Sequence, residues 1–263
     1  MGALGLLFVG AVLFVNGLAL LGRVEPQAAA PINLFVGSLL VVVVLYLALR
    51  AGDDLEPVFT AAGFLLFGFV YLYVGIVNFT GHAATGVGWY CAWAAVVSLL
   101  IALVSFARHD VKFGTLWLLW ALLFTMFFLV LGLGLARLTT VTGWVTVVEA
   151  IITATIPGLL LILGAWTDVS DLAVVVVAAA AAVLFVVIGA RTTRTQATGT
   201  DQAVQEYRHE GRAPGSRQAG LTRPPRSAPA SQPPPGHPAG IRKIHPTRRS
   251  IPCPRSSSRS TAT

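Results

Sequence analysis

Glu149 is the one acidic residue set well inside a long apolar run of this chain, in the stretch VVEAIITATIP that also holds Thr153, Thr155 and Pro157. A carboxylate at membrane depth is costly, so it either lines a polar path or is hydrogen-bonded to a neighbouring helix. Both readings stay open for Glu149. Aromatic residues form the second group. Phe67 and Tyr71 are spaced i, i+4, and Trp117, Trp120 and Phe124 are spaced i, i+3, i+7, so each set falls on one face of a helix. Trp89, Trp144 and Trp166 stand at the ends of apolar runs, where interfacial belts are found. Tyr71 and Trp120 lie deeper, where the choice is between ordinary packing and a narrow slot. Such a slot would grip a flat small molecule while offering a hydroxyl and an indole N–H. Asn16, Asn33 and Asn78 are further amides within apolar runs, and interhelical hydrogen bonding is expected of all three.

Other chemistries find little support. No Lys, Arg or His lies inside the apolar runs, so a charged substrate or a relay of titratable groups lacks partners. Cys91 and Cys253 have no metal or disulfide spacing. There is no Ser/His or Cys/His pair and no His/Cys ligand set within the runs, and GLGLA at 132–136 lacks the strand–turn–helix setting of a phosphate loop. Enzyme activity, a metal and a cofactor are therefore not expected. Three classes remain: a path for a small neutral solute, a proton-coupled transporter using Glu149, and a non-transporting membrane scaffold subunit.

The elements that must position these residues follow from composition. Of 263 residues, 56% are hydrophobic and 11% are charged, with a mean hydropathy of +0.77, far from a soluble domain. A hydrocarbon core of about 30 Å needs roughly 20 apolar residues in a helix. Seven runs meet this: 2–21, 32–49, 58–79, 87–107, 113–135, 144–166 and 172–190. The first has no basic flank or small-residue cleavage site and is expected to be a span, not a signal peptide. Residues 191–263 hold 13 of the 18 Lys and Arg, 3 of the 11 Asp and Glu, and 11 of the 15 Pro. This tail is net +10 and poor in large apolar residues, so disorder is expected, with attraction to anionic membrane lipid and no nucleic-acid partner. With seven spans the Arg-rich tail faces the cytoplasm and the N-terminus lies outside.

The sequence also repeats. LFVGAVLF at 7–14 returns as LYVGIVNF at 72–79, and Gly88-Trp89 and Gly143-Trp144 open the fourth and sixth runs. Three helix hairpins of related design, plus an unmatched seventh helix, are expected around a path on a pseudo-symmetry axis.

Taken in order, NGLALLGRVEP (16–26), PINLFVGSL (31–39), FLLFGFVYLYVGIVN (64–78), WLLWALLF (117–124) and GWVTVVEAIITATIPGLLLIL (143–163) resemble the AmiS/UreI family of acid-activated urea channels and aliphatic amide transporters. The resemblance covers residues 1–166. It implies an all-α integral membrane protein: a six-helix bundle of three hairpins with a pore in each protomer, assembled as a homo-oligomeric hexamer. Residues 167–190 then add a seventh transmembrane helix and 191–263 a disordered basic tail. By motif the pathway residues fall on Phe67, Tyr71, Trp117, Trp120 and Glu149, with Leu6 and Leu13 lining the opening on the first helix. Phe124 stands where the urea channel has a third Trp, a loss of bulk and of one donor that suits an amide bearing a methyl or ethyl group. The implied function is facilitated diffusion of urea or a short aliphatic amide such as acetamide. The histidine-rich outer loop of the acid-activated channel is missing: residues 52–57 hold no His, and His109 stands alone on that side. Permeation nearly independent of external pH is therefore expected.

Overall fold

The computed structural model describes residues 2–210, with side chains described to Arg191. It is all helical over these residues and contains seven helices long and apolar enough to cross a membrane. These are α1 (Gly2–Leu20), α2 (Pro26–Ala51), α3 (Leu55–Thr80), α4 (Thr85–Ala107), α5 (Val111–Gly132), α6 (Ala136–Ile162) and α7 (Asp171–Glu210). Each replaces exposed backbone polarity with internal hydrogen bonds, as a span requires.

Several boundaries move outward from those expected. Helix α2 begins at Pro26 because proline fits the first helical position, where no N–H is needed. Helix α6 begins at Ala136, so Glu149 sits thirteen residues in, roughly 20 Å along the axis, and not one turn from the start. Helix α7 runs on past Ala190 to Glu210. The remainder of the basic tail, 211–263, lies outside the described residues. Asp54 and Asp110 cap α3 and α5 by accepting from the N–H groups of Glu56 (3.0 Å) and Phe113 (3.1 Å).

Two helices are interrupted by wide π turns, at Phe128–Gly132 near the end of α5 and at Ala150–Thr155 in the middle of α6. The second has a visible cause. Pro157 supplies no N–H to the preceding turn, and the Ile156 N–H reaches back five residues to the Ile151 carbonyl. The turn begins directly after Glu149.

The closest packing joins α2 with α3, α4 with α5, and α1 with α6. Each pair meets through glycine. A side chain at Gly37 or Gly75 would run into the facing backbone between α2 and α3, at Gly88 into Gly132 of α5, and at Gly10 or Gly17 into the α6 backbone. Small residues let helices approach closely where lipid offers no hydrophobic drive to associate. Gly10 and Gly75 occupy matching places in the repeated octapeptides. The repeat therefore has a structural counterpart, a point where an odd-numbered helix meets its even-numbered partner.

Helix α7 packs on α5 and α6, with Ala181 and Phe185 buried and most of its other side chains up to Arg191 exposed. Its approach is fixed by Lys112, whose Nζ donates to the carbonyls of Trp166 (2.9 Å) and Val169 (3.0 Å) and lies 5.2 Å from the Trp166 ring centroid. Phe113 stacks on the other part of this corner, 5.8 Å from Trp166.

Candidate functional site

The aromatic faces of α3 and α5 meet inside the bundle. Phe67 is the hub, with ring centroids 6.1 Å from Tyr71, 5.9 Å from Trp117, 5.0 Å from Trp120 and 5.2 Å from Phe124. Trp117 and Trp120 stand edge to face at 4.8 Å, a favoured aromatic arrangement. Phe67, Tyr71, Trp120 and Phe124 are all buried. The i, i+4 and i, i+3, i+7 spacings are what bring these five rings to one place from two helices.

Two cavities reach this cluster. One, of about 620 Å³, is lined by Leu6, Phe67, Trp117 and Trp120, and at its far end by Glu56, Arg108 and Asp110. There Arg108 pairs with Glu56 at 2.7 Å and covers the Phe59 ring at 4.7 Å. The other, of about 270 Å³, is lined by Leu13, Phe67, Tyr71 and Phe124, and further out by Asn16 and Asn78. The first draws on the N-terminal parts of α1, α3 and α5, the second on their C-terminal parts. Because α1, α3 and α5 run in the same direction, the cavities lie toward opposite ends of the bundle. Phe67 is the one residue common to both walls.

Seven of the eight residues expected along a pathway thus stand in the walls of these cavities. The eighth, Glu149, does not. It is fully buried, and both carboxylate oxygens lack a hydrogen-bond partner. It belongs to a polar stripe on α6, Thr142, Thr146, Glu149 and Thr153, all fully buried and spaced i, i+4, i+7, i+11 on one helix face. The threonines satisfy themselves on the preceding turn: Thr142, Thr146 and Thr153 donate to the carbonyls of Leu138 (2.8 Å), Thr142 (2.6 Å) and Glu149 (2.6 Å). Thr153 also accepts from Trp120 Nε1 at 2.9 Å. The stripe therefore fixes one tryptophan of the cluster through the residue one turn after Glu149. Thr142 and Thr146 carry this spacing in the sequence, but threonine in an apolar helix reads as neutral until its neighbours are known.

The three asparagines divide. Asn16 and Asn33 bond each other reciprocally, Nδ2 to Oδ1 at 2.9 and 2.7 Å, joining α1 to α2 as expected. Asn78 does not follow them. It lines the smaller cavity, and its side chain makes no hydrogen bond among the described residues. Tyr71, on the same face of α3, has a buried hydroxyl that is likewise unpartnered. No cluster of three His, Cys, Asp or Glu suited to a metal occurs among the described residues.

Comparison with known proteins agrees with this architecture. The family model described as AmiS/UreI family transporter matches residues 1–165. A Rhodococcus erythropolis protein described as the transporter AmiS2 is 47% identical over 165 residues, covering 62% of this chain and 80% of its own. A Mycolicibacterium smegmatis protein described as a transporter of amidate substrates is 46% identical over 167 residues, covering 63% and 78%. The crystal structure of the urea channel of Helicobacter pylori superposes with a TM-score of 0.55 at 30% identity, covering 63% of this chain and 99% of that one. These relatives are transporters and channels, not enzymes. The chain is a multi-pass membrane protein and belongs to the AmiS/UreI family of transporters.

Proposed function

We propose that the chain conducts small, neutral, planar amides, urea or a short aliphatic amide, by facilitated diffusion through the bundle formed by α1 to α6. The observation that carries this reading is the pair of cavities from opposite ends that share only Phe67, at a cluster of five aromatic rings. A flat solute slides between ring faces that a hydrated ion would find too narrow and too apolar, and each weak contact replaces part of its hydration without trapping it. In this reading the cavity bearing Glu56, Arg108 and Asp110 faces outside and the one bearing Asn78 faces the cytoplasm, as the basic tail requires. The protein works as a homo-oligomer, each protomer with its own path. Phe124 leaves room for a methyl or ethyl substituent, so acetamide and propionamide join urea as solutes.

The experiment is uptake of labelled urea and acetamide into proteoliposomes, with and without a proton gradient. Equilibration that ignores the gradient supports diffusion, and Trp120→Ala slows it roughly ten-fold, since the tryptophan loses its bond to Thr153 and its place in the cluster. Accumulation above equilibrium would replace this reading with proton coupling, which the unpartnered carboxylate of Glu149 favours. No uptake would leave a scaffold.

A further inference from the structure

Beyond the aromatic cluster, the smaller cavity is nearly all apolar: Val70, Val74, Val77, Val87, Leu123 and Phe127 are among its walls. Three polar side chains of different standing interrupt it, Asn16, Tyr71 and Asn78. The Asn16 carboxamide is already engaged. Its Nδ2 donates to Asn33 and its Oδ1 accepts from Asn33, which closes the two amides into a ring of two antiparallel hydrogen bonds. Asn78 has the same group, the same two bonding directions and no partner among the described residues. Tyr71, Val74 and Asn78 line the cavity at i, i+3, i+7, so Asn78 follows Tyr71 by two turns, about 10 Å further along the path.

We infer that Asn78 is a specificity-determining residue, which pairs with the carboxamide of a passing solute as Asn33 pairs with Asn16, and so favours urea and primary amides over N-alkylated ones. This rests on the conduction reading above and names the chemistry that its second cavity selects. A primary amide and urea both present an N–H on the same side as the carbonyl oxygen and can close the two-bond ring. A secondary amide in its preferred trans form points its one N–H to the opposite side, and the cis form costs about 2.5 kcal/mol. A solute leaving the rings for an apolar cavity has lost much of its water. The carboxamide of Asn78 returns two hydrogen bonds at that point.

Propionamide and N-methylacetamide are isomers of similar size, so their flux ratio isolates this step. In proteoliposomes of the full chain, propionamide is expected to exceed N-methylacetamide roughly five-fold. Asn78→Leu and the smaller Asn78→Ser bring that ratio close to one, mainly by slowing propionamide, while Asn78→Gln, which keeps a carboxamide, retains a clear preference. The serine variant carries the test if the leucine variant fails to assemble, judged by elution from a size-exclusion column. An unchanged ratio in both variants overturns the role of Asn78 while leaving conduction intact. Absence of any amide flux in the parent protein overturns the conduction reading itself, and this one with it.

Discussion

At the scale of single residues, Phe67 separates two spaces that otherwise share no wall. Its ring meets four others, so shortening it is expected to widen the contact between the two cavities without dismantling the cluster. Phe67→Leu is expected to cost about 1 kcal/mol of stability, as a modest change of core volume does. It should also relax discrimination by size: butyramide entry rises several-fold relative to urea. Competing uptake of the two solutes into vesicles checks this, and unchanged selectivity would place the narrow point elsewhere. The aromatic faces were readable in the sequence because ring residues at i, i+3, i+4 and i+7 leave few places to go other than one helix face. The placing of Glu149 was not. Its side chain is fully buried and lies in neither cavity wall, a difference that hydropathy is blind to. The role of Asn78 is hidden in the sequence for a related reason, since an amide bonded across helices and an amide facing a cavity look alike until the facing helix is known.

At the scale of elements, seven helices were legible because a span must bond its own backbone, and that demand writes a run of about 20 apolar residues for each one. The interruptions were less so. The π turn at Ala150–Thr155 arises from Pro157 acting on a helix held on both sides, by Gly10 and Gly17 of α1 and by the Trp120 bond to Thr153. Without those neighbours the same proline reads as a simple kink. The attachment of α7 was also hidden, because it depends on Lys112 reaching the carbonyls of Trp166 and Val169, more than fifty residues away. Lys112→Met keeps the length of the side chain and removes both bonds. It is expected to lower stability by about 1–2 kcal/mol and to speed proteolysis in the Ala165–Asp171 connection, with urea flux unchanged. Neither cavity that reaches the aromatic cluster draws a wall from α7, so lost flux would mean that α7 holds the conducting path in shape.

At the scale of the molecule, the question is what opens the path. Histidine is the one side-chain type that ordinarily changes charge between pH 5 and 8. Among the residues whose side chains are described it occurs at His82 and His109, both exposed and in connections between helices. His82 is engaged locally, its Nδ1 lying 2.7 Å from Thr80 Oγ1, and neither residue stands in a wall of the two cavities. The mouth of the larger cavity is instead held by Arg108, bonded to Glu56 and laid over Phe59. A gate driven by several histidines needs them close enough to repel one another when charged, and single residues in separate connections do not provide that. Urea flux into proteoliposomes is therefore expected to vary by less than about two-fold as external pH moves from 5 to 7.5, the interval that contains the ordinary histidine transition. A flux that instead climbs steeply on acidification and stays steep in His109→Asn would point to Glu149, the remaining buried acid in the bundle. Loss of the climb in that variant would assign the gate to His109 and overturn the expectation of an ungated path.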